Sequence, residues 1–234
     1  SIWTVADSTA RPSRALHYVA GAETRWAGLD VDAEAYLKDF DGLYEINYDE
    51  QESTALGDLL RRGPGRAYGV DLLVSKRAGR HSGWLSVSTG LSERTIAGLN
   101  LDDAGRARSF RSKFDRGLSV DLVYSWRFRR NWTLNAAGTG ASGQPYTRVL
   151  GRGQVEEPSG LVWTFDQKGR LNGARLPGYR RLDLGLERQF RFASWGMKVY
   201  AQVVNVTNHR NIFNYYWSGG DAAARKAGKR QEIP

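Results

Sequence analysis

The groups best suited to holding a ligand lie in polar stretches of the chain: Arg61 and Arg62, Arg108 and Arg111, and Trp163. Set together on loops, such cations could attract an anionic chelate through their summed field. The ordinary state of loop arginines is simple solvation, and that reading is the more frequent one. Catalytic groups are harder to find. His17, His81 and His209 fall in a strand, a turn and a loop, without the close spacing that metal ligands need. His209 beside Asn208 and Asn211 imitates a catalytic rim, but an Asn-rich strand exit accounts for it. Neither a Gly-x-Ser-x-Gly elbow nor a phosphate-binding loop occurs. The absence of cysteine excludes disulfides and thiolate metal sites. No catalytic residue, no metal site and no cofactor is therefore expected.

The elements that must position these residues are strands. Glycine is abundant at 27 residues, proline scarce at 6, and Trp, Tyr and Phe number 8, 11 and 8. That composition suits many strands joined by turns. No stretch approaches the roughly 20 apolar residues of a membrane-spanning helix. A net charge of +9 is spread along the whole chain and alternates with apolar residues, without a compact basic patch, which argues against nucleic acid as partner.

Four hairpins are predicted. Arg14 to Trp26 turns at Ala27-Gly28 into Leu29 to Leu43. Arg66 to Arg77 turns near Ala78-Gly79-Arg80 into Gly83 to Thr95. Asp115 to Phe128 turns at Arg129-Arg130-Asn131 into Trp132 to Thr147. Tyr179 to Phe192 turns near Ala193-Ser194 into Gly196 to Val206. Long polar segments at 47–65, 96–114, 150–178 and 207–234 separate them, so short turns and long loops alternate strictly. An outer-membrane barrel has that asymmetry, with tight turns on the periplasmic side and long loops outside.

Within the strands, apolar and polar residues alternate. Leu118, Val120, Leu122, Tyr124, Trp126 and Phe128 oppose Ser119, Asp121, Ser125 and Arg127. Leu182, Leu184, Leu186 and Phe190 oppose Arg181, Asp183, Glu187 and Gln189. Successive strand residues point to opposite faces, so one face is apolar and the other polar. A soluble sandwich would bury the apolar faces against each other, whereas a barrel turns them to lipid. Trp26, Trp84, Phe128 with Trp132, and Phe192 with Trp195 lie near the short turns, as an interfacial aromatic belt would. Arg188 falls on the apolar face. There it costs roughly 2–4 kcal/mol at the bilayer midplane but about 0–1 kcal/mol near an interface. The polar face carries Glu34, Lys38, Asp121, Arg181, Asp183 and Glu187, expected to pair across the wall. The predicted sixth strand, with Gly138, Gly140 and Gly143, is expected to bend or end early.

Several segments resemble the barrels of TonB-dependent receptors. Arg11-Pro12-Ser13-Arg14-Ala15-Leu16-His17-Tyr18 is similar to the entry into a late barrel strand. Glu34 to Tyr44, reading EAYLKDFDGLY, resembles the EAYyKdfdgLY pattern. Gly65-Arg66-Ala67-Tyr68-Gly69-Val70-Asp71 matches G-x-a-x-G-v-E with Asp for Glu. Leu176 to Leu184 resembles lP-x-Y-x-R-l-D-l. Tyr200 through Asn205, Asn208 and Asn211 resembles the Y-x-x-v-x-N-v-x-N-x-x-N ending. All five stand in the family's order.

The resemblance implies that 1–234 is the C-terminal portion of a receptor barrel in the outer membrane of a Gram-negative bacterium. It implies a fold of about eight strands from a larger antiparallel transmembrane β-barrel. The plug, and the final strand that Gln231-Glu232-Ile233-Pro234 approaches, lie outside the sequence. Implied with it is energy-coupled uptake of a scarce nutrient such as a ferric siderophore, a cobalamin or a glycan. The partners would be outer-membrane lipid, lipopolysaccharide phosphates, the nutrient, and the TonB complex acting through the plug. Arg61, Arg62, Arg108, Arg111 and Trp163 would be its ligand contacts. The rivals are a self-contained eight-stranded barrel serving as anchor, adhesin or surface enzyme, and a soluble β-sandwich binding module.

Overall fold

A computed structural model describes residues 11–47, 60–156, 158, 160, 162–216, 231 and 232. Its body is one antiparallel sheet. The long strands are β1 (Arg14–Trp26), β2 (Leu29–Ile46), β3 (Leu60–Lys76), β4 (His81–Arg94), β6 (Leu118–Arg129), β7 (Trp132–Ala141), β12 (Tyr179–Arg191) and β13 (Gly196–Val203). They pair in the order β1-β2-β3-β4-β6-β7-β12-β13. The short β5 (Phe110–Arg111) adds to β4. Beside the sheet, β9 (Val149–Glu156) pairs with β10 (Val162–Lys168), and β8 (Pro145–Tyr146) with β11 (Ala174–Arg175). Similarly, β14 (Tyr215–Tyr216) pairs with β15 (Gln231–Glu232).

Each predicted hairpin is present. The β1–β2 turn places Ala27 and Gly28 at φ 49° and 78°, the left-handed pair that a two-residue hairpin of right-twisted strands requires. Because neighbours in a meander run antiparallel, its successive connections fall at alternate ends. The four tight turns therefore share one end, and the long connections share the other.

The register joins the apolar positions of separate strands into continuous rows. Ala33 pairs with Ala22 and Leu72, and Leu72 pairs with Val87. Val87 pairs with Val120. Another row runs Leu85, Leu122, Gly138 and Leu182. All eight strands thus turn their apolar residues to one side. Nothing covers that side among the described residues: Leu122 is 38% exposed and Val70 48%. A sandwich would have buried both. Soluble monomers rarely expose apolar patches beyond a few hundred Å², and lipid is the environment that accepts such a face.

On the inner face Tyr36 lies across two strands. Its partner in the ladder is Gly69, whose own partner is Gly90. A Cβ added at either glycine would come within 2.6 or 2.8 Å of the Tyr36 hydroxyl oxygen. The missing side chains give the phenol its seat, and Lys38 Nζ stands 4.9 Å from the ring centroid.

Several expectations change: β6 begins at Leu118 and not at Asp115, and the segment expected as a long loop at 150–178 holds the β9–β10 hairpin. Trp84 pairs with Ser75 and Val123, which puts it on the inner face, opposite to the outward Leu85. It cannot join an outer belt. The predicted long loop 47–65 is shorter, because β3 begins at Leu60 and takes Arg61 and Arg62 into the sheet. Pro64 is accommodated there because β2 bulges opposite it: the register jumps between Phe40 and Leu43, with Gly42 at φ 74°. The strand expected to reach Thr147 ends at Ala141. Its continuation, β8, pairs with β11 instead of the main sheet.

Candidate functional site

At the loop end the chain closes over itself around a bulge. Arg94 and Glu93 of β4 pair with Phe110 and Arg111 of β5, and Thr89 pairs with Leu118 of β6. Residues 112–117 therefore stand opposite only 90–92. Ser112 N still donates to Ser92 O at 2.8 Å, and Thr89 Oγ1 donates to Gly117 O at 2.8 Å. Ser92 N has no ladder carbonyl to meet and donates to Asp115 Oδ1 at 2.8 Å.

Asp115 thus stands in for a missing backbone acceptor, with its side chain 1% exposed. A buried carboxylate needs compensating charge. Arg111 Nη1 supplies it at 3.2 Å, and Arg175 of β11 donates to the same oxygen. Arg175 also donates to Gly143 O at 2.9 Å. One carboxylate therefore joins β4, β5 and the connection between β7 and β12. A second node lies alongside: Arg94 Nη1 donates to Glu45 Oε2 at 2.6 Å, and its Nη2 to Ser112 Oγ at 3.4 Å. The connection between β4 and β6 carries a small apolar core of Ile96, Leu99 and Phe110, with Leu171 packed against it. Asn172 Nδ2 donates to Arg111 O at 2.8 Å and Leu171 N to Asn100 Oδ1 at 3.2 Å, which locks the two long connections together.

The tip of the first connection is organised by Asp102, which accepts from Ala104 N at 3.0 Å and Arg106 N at 2.8 Å. The Arg106 N–H is the main reason the Asp102 carboxyl is held below the usual carboxylate range.

The predicted ligand residues come to this end with internal partners. Arg62 lies 3.6 Å from Asp41, with its guanidinium over Gly42. Arg61 sits beside Gly98, so β3 brings it to the same folded loop as Arg108 and Arg111. Arg108 approaches Asp102 at 4.0 Å and is about half exposed. Arg111 is committed to Asp115. Trp163 lies on β10, and its side chain falls outside what is described. Sequence reasoning missed Asp115, Arg175, Glu45 and Arg94. No spacing signals them, because the Asp115–Arg175 contact joins residues 60 positions apart.

The inner face carries a groove of about 320 Å³ lined by residues including Ser125, Asn135, Asp183, Glu187 and Tyr200. Its expected charge pairs are partly present. Glu187 meets Lys198 across β12 and β13 at 3.2 Å. Asp183 pairs with Arg181 two residues along the same strand, at 2.6 Å, and accepts Asn205 N at 2.8 Å.

No protein-family pattern matches this sequence, and no curated protein matches it. Among solved structures, the chain resembles the ferripyoverdine receptor of the outer membrane of Pseudomonas aeruginosa, solved with ferripyoverdine bound. The TM-score is 0.54 at 13% identity. The likeness covers 87% of this chain and 24% of the receptor's. At that identity it speaks to fold alone, and the fold is that of part of an outer-membrane β-barrel.

Proposed function

We propose that residues 1–234 form the C-terminal portion of a TonB-dependent receptor barrel that takes up a scarce nutrient, such as a ferric siderophore, a cobalamin or a glycan. The observation carrying this reading is the open sheet. Among the described residues β1 and β13 each pair on one side only, so the eight strands do not close on one another. Lipid cannot satisfy bare strand edges. More strands of a larger barrel would satisfy them, which counts against the self-contained eight-stranded alternative. The likeness to 24% of a longer receptor chain points the same way.

In this reading Arg61, Arg62, Arg108 and Trp163 contribute to the ligand-facing surface outside the membrane. Arg111 supports the loops from beneath by holding Asp115. Lipopolysaccharide surrounds the loop end, and the TonB complex acts through a plug encoded elsewhere in the protein. The test uses the intact protein in its own outer membrane. Deleting its gene should abolish starvation-induced uptake of one labelled nutrient among ferric siderophores, cobalamins and glycans, and removing TonB should do the same. Uptake unchanged by deletion across the whole panel would overturn the proposal.

A further inference from the structure

Arg188 is a cation on the apolar outer face, near the tight-turn end of β12. It stands in the apolar outer rows, directly paired with Trp132 of β7 and Val199 of β13. Its guanidinium carbon lies 5.0 Å from the Trp132 ring centroid and 4.5 Å from that of Phe190. Ring faces attract the cation but leave its N–H edges without acceptors. Among the described residues no carboxylate pairs with it.

The ladder supplies a second cation. Trp132 pairs with Arg188 on one side and with Arg129 of β6 on the other. Arg129, Trp132 and Arg188 therefore form one row across three adjacent strands, which sit about 4.8 Å apart. The bulge between Trp126 and Arg129 makes this possible by returning Arg129 to the outward face. The row lies at the tight-turn end: Trp132 opens β7 just after Arg130-Asn131. Trp126 and Phe128 extend the aromatic surface, at centroid separations of 5.6 Å from each other and 6.4 Å from Phe128 to Trp132. Two outward-facing arginines flanking an indole at the edge of a lipid-facing band want an anion that presents a pair of accepting oxygens. Planar forks of this kind match a phosphodiester bidentately.

We propose that the Arg129–Trp132–Arg188 row binds the phosphate of an anionic glycerophospholipid, of the phosphatidylglycerol class, in the periplasmic leaflet. The guanidinium edges take the phosphate oxygens, while Trp132, Phe128 and Phe190 receive the glycerol and upper acyl chain. This inference rests on the membrane-barrel reading, since short turns mark the periplasmic side. It needs neither uptake nor TonB.

The full-length protein, extracted in mild detergent, is titrated with phosphatidylglycerol and separately with phosphatidylcholine while bound lipid is counted by native mass spectrometry. Preferential retention of phosphatidylglycerol is expected. Each of Arg188→Gln and Arg129→Gln should weaken it by about tenfold or more, as loss of a charge-assisted hydrogen bond does. Arg188→Lys keeps the charge but not the planar fork, and should retain intermediate affinity. Heat-modifiable gel mobility shows that each variant is folded. Equal retention of the two lipids, or folded glutamine variants that bind phosphatidylglycerol like the wild type, overturns the lipid site. A protein recovered dispersed without detergent would instead overturn the barrel reading beneath it.

Discussion

Leu122, in the middle of β6, and Ile96, just beyond the end of β4, are both large aliphatic residues. Yet Leu122 is 38% exposed and Ile96 fully buried. The polar groups are arranged the other way round: Asp115 is buried at the loop end, while the outer rows of the strands hold few polar residues. The two regions face different solvents. In lipid, apolar side chains need no partner and the backbone alone must be satisfied, which the ladder does. In water, the connections must bury an apolar cluster and neutralise the polar groups that come with it. The loop end is therefore built like a small soluble domain mounted on a sheet that is not.

Substituting arginine on each face tests that contrast most severely. Leu122→Arg puts a charge into the outer rows well away from both ends, where the loss of stability should be about 2–4 kcal/mol. Val123→Arg, one residue on and facing inward, should change stability by about 0.5 kcal/mol or less. Urea titrations of the full-length protein folded in vesicles would measure both. Equal losses would mean that the faces have been assigned wrongly.

Asp115→Asn probes the other region. Removing one partner of a buried ion pair costs roughly 3–5 kcal/mol. Here Arg111 and Arg175 are 38% and 32% exposed and can recruit water, so about 2–3 kcal/mol is expected. The damage should be local. Hydrogen exchange should quicken over 95–117 and 143–176 while β1 to β3 keep their protection. Uniform loss across the sheet would show that the loop end is part of the same cooperative unit.

The same division decided what could be read in advance. Strand periodicity is a local signal, so the hairpins, their turns and the outward rows were legible from residues such as Leu118, Val120 and Leu122. Nearness to a turn suggests an interfacial place for Trp84, but its alternation with the outward Leu85 turns it inward. Arg61 and Arg62 look like loop residues beside Gly63-Pro64-Gly65, and the compensating bulge at Asp41-Gly42 lies on another strand. The β9–β10 hairpin was missed within a segment read as simply polar. The Asp115 node was not legible at all. Its members come from β4 and from two separate connections, and only the fold brings them together.

Within the strands, the seat of Tyr36 offers a smaller and more local test. A Cβ at Gly69 would press on the Thr89 carbonyl oxygen and reach within 2.6 Å of the Tyr36 hydroxyl. Gly69→Ala should therefore destabilise by about 1–3 kcal/mol, the usual range for overpacking. Gly140→Ala in β7, where a Cβ meets nothing within 4 Å, should be nearly neutral in the same urea titration. If the two behave alike, Tyr36 is free to move and the inner face is less tightly packed than its geometry implies.

The weakest effect should come from acid. Asp102 is held below its ordinary carboxylate value of 3.8, first by the Arg106 N–H and then by the Ala104 N–H and the Arg106 side chain. A depressed folded value means that the carboxylate's contribution is fully present above 3.8 and is lost as pH falls through the lower, folded value. Below pH 3.8 the turn at 102–106 should begin to lose protection relative to the intrinsic exchange rate. Asp102→Asn should remove that pH dependence and leave the turn looser throughout. Strand amides in β3 and β4 should hold their protection through the same window, because their hydrogen bonds are made by backbone groups that do not titrate. A turn that stays fully protected in acid would show that the Arg108–Asn100 hydrogen bond, at 3.0 Å, and the Leu101–Ala107 bridge hold it without the carboxylate.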